Sequence, residues 1–395
     1  MNEKKKIEVL IIPSWFPPDG GEFFKEHAES LYSEDFNISI LQTRLIGLTS
    51  HSFKDIINSG RKWERPENSL YITGMSLLKL PWMEKRNVNR WVRKSTGHFK
   101  KYLERGFKPD LIMVQSGLWA GIVAARIKKE FGIPYILIEH RGRFINNNAA
   151  SYHLKEWHRE VYMQIAINAS KIVCVSEALL DGLVKITGSR EKLVVIPNMV
   201  DTDYFNLPVN KRENQPFIFL SIGTLEMVKG YDTLLKAFAE FTDKTEGEFF
   251  LRIGGKGGEL KNLKALARDL AIEDRVSFTG HISKERVRDE MHRSNVFISS
   301  SRFESFGVAL IEAASTGLPL IATKSGGPES IVNNVNGFTC QTDDPSSLEE
   351  LMRKAYFNYK EFNQIQIRQE TINQYSKNII SEKYHELIRN TLNAN

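Results

Sequence analysis

The sequence predicts an α/β protein made of two doubly wound domains. Three observations carry this expectation. The chain has 395 residues and is 41% hydrophobic, enough for sizeable cores and long enough for two domains. Short β-branched runs alternate with longer amphipathic stretches along most of it. That alternation breaks once, around residues 200–216, and then restarts.

In the first half, IEVLIIP reads as a strand and FFKEHAESLYS as a helix. FNISILQT is a strand and NRWVRKSTGHFKKYLER a helix. DLIMVQ, PYILIEH, KIVCVS and LVVIPN are further strands, with LWAGIVAARIKKEFG helical between the first two. These strands are apolar throughout rather than alternating, the pattern of parallel strands covered by helices on both faces.

The stretch MVDTDYFNLPVNKRENQP is polar, holds two prolines and has no period, so it reads as a connector. PFIFLSIG, FFLRIGG, VSFTGH, NVFISSS and PLIAT then follow as strands. GYDTLLKAFAEFTDK, LKNLKALARDLA, SKERVRDEMHRS and GVALIEAASTG are the helices between them. The expected organisation is an N-terminal domain over 1–199, a linker over 200–216 and a C-terminal domain over 217–374. A final helix, about 375–395, is expected to cross back to the first domain. Ligands of such folds sit outside the carboxyl ends of the strands, so a cleft between facing domains is the expected site.

Net charge is +6, and the excess of basic residues lies in the first half. Between Lys79 and Lys108 many Lys and Arg are interleaved with Trp82, Trp91 and Phe99. Two readings stand open: a solvated helix face over a few core aromatics, or a surface that meets anionic lipid or an anionic acceptor. No nucleic-acid motif accompanies the charge, so nucleic acid is not an expected partner. Cys174 and Cys340 lie in apolar runs and read as buried, reduced thiols. The apolar run near the N-terminus is too short to span a membrane and lacks a small-residue cleavage site. A cytoplasmic protein is expected, with any membrane role peripheral, on the inner face.

Four loops after strands in the second half offer what a sugar nucleotide needs. In SIGTLEMVKGYDTLL, Gly223 ends a strand and Lys229-Gly230 precede a helix, giving open backbone and a cation for a phosphate. LRIGGKGGEL places Gly255 in a tight turn, but the G-x-G-x-x-G frame of dinucleotide folds fails there. In SSSRFESFGVALIEAASTGLP, Ser305, Phe306 and Gly307 are expected to begin a helix whose first amides face an anion. Glu304 precedes it and Glu312 follows eight positions later, suited to sugar and ribose hydroxyls. ATKSGGPESI adds the Gly326-Gly327 turn and Glu329. For the first, second and fourth loops a purely structural turn remains an alternative.

In the first half, Gly20 and Gly21 lie between strand and helix, where backbone can approach a ligand. His140 ends an apolar strand and is expected to face the cleft, for sugar or acceptor, with a structural histidine as the alternative. Asp201-Thr202-Asp203 resembles a metal-binding D-x-D, but its place after VIPN favours capping and turn chemistry. No metal-ligand spacing is present.

Together these residues resemble retaining glycosyltransferase family 4, of GT-B fold, over nearly the whole chain. The E-x(7)-E element from Glu304 to Glu312 is the most specific match. GTLEMVKG, VIPNMVDTDYF, VSEALL, VSFTGH and SGGPESIV match in order and spacing. PSWFP…GGEFFKEHAESL and IEHRGRF look like bacterial members that build surface polysaccharides. The resemblance implies two Rossmann-like domains facing across a cleft, no bound metal, and a nucleotide-sugar donor, taken as a UDP-sugar. A saccharide or lipid-linked molecule would be the acceptor.

On that resemblance Lys229 would bind the diphosphate, Glu304 the transferred sugar and Glu312 the ribose. Gly307 and Val308 would offer amides near the phosphates, His140 would sit beside sugar and acceptor, and Gly21 would belong to the N-domain glycine loop. One departure is Thr224, where the family often has Arg, which removes a forked phosphate cation. A sugar-nucleotide epimerase and a non-catalytic sugar-nucleotide-binding protein are the alternatives.

Overall fold

The computed structural model describes residues 5–48, 51–144, 155–209 and 216–394. They form two compact units. The first comprises Met1–Val175, Leu180–Ile196 and Ser381–Asn395; the second comprises Ser176–Leu179 and Pro197–Ile380.

The first unit is built on β1 (Ile7–Pro13), β2 (Phe36–Ile46), β3 (Lys62–Glu67), β4 (Leu70–Leu78), β5 (Leu111–Gln115), β6 (Tyr135–Glu139), β7 (Lys171–Cys174) and β8 (Leu193–Val195). They form one eight-stranded sheet in the order β3-β4-β2-β1-β5-β6-β7-β8. Every residue of β5 and β6 is buried, as a continuous apolar run between two helical layers requires. β3 alone runs antiparallel, against β4, at the sheet edge. It is polar, carries Pro66 and is largely exposed, all of which an edge tolerates. This hairpin was not among the expected strands, because KWERPE has no apolar face to announce it.

The second unit holds β9 (Phe217–Ile222), β10 (Phe249–Gly254), β11 (Val276–Gly280), β12 (Val296–Ser299), β13 (Leu320–Thr323) and β14 (Gly337–Cys340). All run parallel, in the order β11-β10-β9-β12-β13-β14. Phe219, Phe238, Phe241 and Phe249 fill the core beneath the helix Tyr231–Lys244. Their rings meet edge to face, 5.2 Å between Phe219 and Phe241 and 4.8 Å between Phe241 and Phe249.

The stretch expected as a connector is partly packed. Val200 and Phe205 are buried in the second unit. The Phe205 carbonyl accepts from Ser315 Oγ at 2.5 Å and from Arg368 at 2.8 Å. Residues 210–215 of that stretch lie outside the described residues. The last helix spans Lys377–Asn393, and from Ser381 onward it belongs to the first unit. There His385 Nε2 donates to the Leu31 carbonyl and its ring stacks on Phe36 at 4.2 Å.

Candidate functional site

In the second unit the strand order reverses between β9 and β12: β10 and β11 lie on one side, β13 and β14 on the other. Loops leaving such a reversal diverge and leave a crevice at the carboxyl ends of the strands. A cavity of about 290 Å³ occupies that place. Gly223, Thr224 and Lys229 line it from the loop after β9. Ser300, Glu304, Phe306, Gly307 and Val308 line it from the segment after β12.

The lysine loop is clamped rather than loose. The Arg302 backbone amide donates to the Val228 carbonyl at 2.8 Å. Its guanidinium reaches Asp232 at 2.8 Å, Asp343 at 2.6 Å and the Met227 carbonyl at 2.5 Å. Ser300 Oγ donates to the Lys229 carbonyl at 3.0 Å. With its backbone so fixed, the Lys229 ammonium forms an ion pair with the Glu304 carboxylate.

The Glu304 segment is held from behind by the loop after β13. The Glu304 amide donates to the Ser325 carbonyl at 3.0 Å, and the Gly327 amide donates to the Glu304 carbonyl at 2.8 Å. Gly327 permits this approach, since a Cβ there would lie 2.3 Å from Phe306 Cα. Glu329 accepts from the Gly326 amide at 2.9 Å, and burial raises its carboxyl above the ordinary value. The Gly326-Gly327 turn therefore buttresses Glu304.

The helix after Glu304 spans Val308–Ser315, not the Ser305 start expected from sequence. Gly307 is the reason: its φ of 104° is left-handed, so the residue caps the helix rather than joining it. The first-turn amides of Val308 and Ala309 have no acceptor within the helix and border the cavity. Their partial positive charge favours an anion there.

Glu312 is half-buried in the same helix but lies outside the lining of this cavity. Gly255 is likewise outside it. Its loop stacks behind the lysine loop, with the Gly223 amide donating to the Gly254 carbonyl at 2.9 Å and the Leu225 amide to the Lys256 carbonyl at 3.0 Å. Asn198, Ser221 and Tyr231 line the cavity without having been singled out. Asn198 ends the VIPN run, a signal available in the sequence. Tyr231 is buried, which raises its hydroxyl pKa, and only the fold brings it to Ser221.

The first unit has its own reversal, between β1 and β5. After β1 the chain turns at Gly20 and Gly21 into the helix Glu22–Leu31, with Gly21 as cap. The rings of Phe23 and Phe24 lie 6.0 and 5.0 Å from that of His140, which follows β6. The glycine turn and His140 thus belong to one cluster. Beneath it the buried Glu139 carboxylate accepts from the amides of His140 and Arg141, both at 3.0 Å, and from Ser116 and the Gly117 amide, both at 3.1 Å. Arg141 donates to the Leu118 carbonyl at 2.8 Å and covers the Trp15 ring at 4.9 Å.

Asp201 serves turn chemistry, as expected: its carboxylate accepts from the Tyr204 amide at 3.1 Å and pairs with Lys377 at 2.5 Å. Among the described residues no group of His, Cys, Asp or Glu has the arrangement of a metal centre. Cys174 and Cys340 are both buried, and burial pushes the Cys340 thiol up to about 11. In the basic stretch Trp91 and Phe99 are core residues, while Trp82 is fully exposed beside the exposed Lys85 and Arg86. No helix among the described residues is long and apolar enough to cross a membrane.

Residues 59–204 match the family model described as Glycosyltransferase Family 4, and residues 205–377 match that described as Glycosyl transferases group 1. Mannosylfructose-phosphate synthase of Agrobacterium fabrum is 26% identical over 54% of this chain and 54% of its own length. The amylovoran biosynthesis glycosyltransferase AmsK of Erwinia amylovora is 24% identical over 63% of this chain and 62% of its own. The alignments thus span little more than half the length of these curated relatives. Among solved structures, Anabaena HepE in complex with UDP superposes with a TM-score of 0.73 over 97% of this chain and 100% of that one, at 17% identity.

Proposed function

The chain belongs to the glycosyltransferases of GT-B fold, and on that premise we propose that it moves a hexose from a UDP-sugar to a hydroxyl of a saccharide or lipid-linked acceptor, with retention of anomeric configuration. The observation that carries this reading is the meeting of Lys229, Glu304 and the first amides of the Val308–Ser315 helix around one cavity. An ammonium group and a helix start suit a diphosphate, and a carboxylate beside them suits sugar hydroxyls.

As the bond from the anomeric carbon to the phosphate oxygen breaks, negative charge grows on that oxygen. Lys229 and the helix amides stabilise it, which is where such catalysis gains most. The acceptor oxygen bonds to the anomeric carbon from the same face, and its proton passes to the departing phosphate. The products are UDP and the new glycoside. Glu304 orients the sugar and is not asked to be a covalent nucleophile. The reading involves no metal. The family resemblance is what supports assigning Glu312, which lies outside the cavity lining, to the ribose, and His140 and Gly21, in the first unit, to sugar or acceptor.

The bacterial surface-polysaccharide role is supported by the GGEFFKEHAESL and IEHRGRF motifs and by the likeness to AmsK. Contact with an anionic membrane surface is supported by Trp82, Lys85 and Arg86 standing exposed together. Flotation with anionic liposomes tests that contact, and the absence of salt-sensitive binding counts against it.

Binding and turnover across a panel of nucleotide sugars test the central reading. UDP released only when an acceptor is present, with the sugar recovered on that acceptor, is the expected result. An epimerised nucleotide sugar formed without acceptor, or tight binding with no turnover on any acceptor, overturns it.

A further inference from the structure

A groove of about 840 Å³ lies along the helix Glu156–Asn168 within the first unit. Trp157, Val161 and Ile165 line it at four-residue spacing, which puts them on one face of that helix. Val88 of the helix Glu84–Glu104 and Ile122 and Ala125 of the helix Gly117–Phe131 complete its apolar lining. From Trp157 to Asn168 the lined length is roughly 16 Å by the helical rise.

The two ends of the groove differ. At the Trp157 end Lys85 joins the lining, its Nζ 5.4 Å from the centre of the Trp157 ring. The neighbouring carboxylate of Glu84 is taken up by Lys155 at 2.5 Å and by His158 at 3.1 Å. Arg86 is exposed next to Lys85, and Trp82 and Met83 are exposed just before it. At the Asn168 end the lysines serve the helix terminus instead. Lys128 donates to the Asn168 carbonyl at 2.9 Å and Lys192 to the Ile167 carbonyl at 2.6 Å. Glu160, also in the lining, is exposed to water at the rim.

An open apolar trough with a cation at one end suits a long chain that ends in an anion. We propose that this groove takes one acyl chain of an anionic phospholipid, with the phosphate at Lys85 and with Trp82 and Met83 in the bilayer interface. The length agrees, since one leaflet of a bilayer core is about 15 Å deep. The charge agrees, since basic residues at a membrane surface draw anionic head groups. Trp82 and Trp157 agree, since tryptophan favours the head-group level. A two-fold contact between copies of the chain would set Lys85 and Arg86 against their own equivalents, which disfavours that occupant. The surface contact read above from Trp82, Lys85 and Arg86 needs no groove; the chain site goes beyond it and rests on it only for the source of the lipid.

The test is calorimetric titration of the full chain with dioctanoyl phosphatidylglycerol below its micelle concentration. Saturable binding is expected, and none of glycerol 3-phosphate, which has the anion without the chain, over the same range. Lys85→Glu, at an exposed position, and Ala125→Phe, which fills the trough, are each expected to weaken binding roughly tenfold or more in folded protein. Phosphatidylglycerol brominated on its acyl chain is expected to quench tryptophan emission, with most of the quenching lost in Trp157→Phe. The proposal is overturned by absent saturable binding, by unchanged affinity in both folded variants, or by equal affinity for dioctanoyl phosphatidylcholine. A polyprenyl phosphate bound where phosphatidylglycerol is not, or a dimer that Ala125→Phe dissolves, overturns it as well. Liposome flotation without binding of the soluble lipid sinks the groove and leaves the surface contact standing. The titration needs no acceptor, so failure to find turnover bears on glycosyl transfer alone.

Discussion

Lys229 and Glu304, 75 positions apart in sequence, form an ion pair at the carboxyl ends of neighbouring central strands. Each is fixed from its own side, Lys229 through Arg302 and Ser300, Glu304 through Ser325 and Gly327. A diphosphate entering the cavity offers the ammonium group a second anion, and sugar hydroxyls offer the carboxylate donors. On the proposed reading, the pair holds both side chains in place until ligand groups replace the contact.

On the proposed reading, replacing Lys229 by Ala removes the cation that meets the developing phosphate charge. Turnover is expected to fall by roughly 10²–10³, the range for losing one preorganised donor. Steady-state kinetics at saturating donor and acceptor check it, and wild-type turnover in a folded Lys229→Ala protein counts against the assignment.

Gly307→Ala places a side chain at a left-handed φ and a Cβ 2.9 Å from Leu310 Cδ1. The backbone cost is about 1–2 kcal/mol, and relief of the strain shifts the amides of Val308 and Ala309. Chemical denaturation should register the lower stability. Calorimetry with UDP should register weaker binding, and unchanged binding would argue that those amides do not meet the phosphates.

Arg302→Lys keeps the charge and loses the fork that spans Asp232, Asp343 and the Met227 carbonyl. Stability should drop by about 1–3 kcal/mol, the scale of a charged hydrogen bond. Because the lysine loop loses its clamp, the donor KM should rise with it. A lower melting temperature with an unaltered donor KM would separate the clamp from ligand binding.

Acid should weaken the first unit through two buried histidines. Burial lowers His27 to about 3 and His98 to about 4, against about 6.5 in the unfolded chain. The unfolded state therefore takes up protons first as pH falls below about 6.5. Stability is full above that value and is lost on the way down to about 3–4. Each group contributes a slope of about 1.4 kcal/mol per pH unit in that window. Denaturation midpoints measured from neutral to acid pH should show the fall, and His98→Gln should make it shallower.

The sequence made the central strands plain because strands such as Leu111–Gln115 are apolar on both faces and need no partner to be recognised. The edges were harder to read. Lys62–Glu67 is a strand only because β4 lies beside it, and Gly337–Cys340 is only four residues long. Lys229, Glu304 and the glycines around them were legible from local chemistry after strand ends. The helix start was misplaced because nothing in SFGV reports the backbone torsion of Gly307. Tyr231 and Asn198 owe their importance to neighbours distant in sequence, which periodicity does not reveal.

Since the final helix from Ser381 onward packs within the first unit, that unit is not encoded by one continuous stretch of the gene. A fragment ending near Ile196 would leave Leu31 and Phe36 without His385, and His27 without Tyr384. It should be prone to self-association. A stable isolated version requires the helix to be grafted back through a short artificial tether, as in a permuted chain.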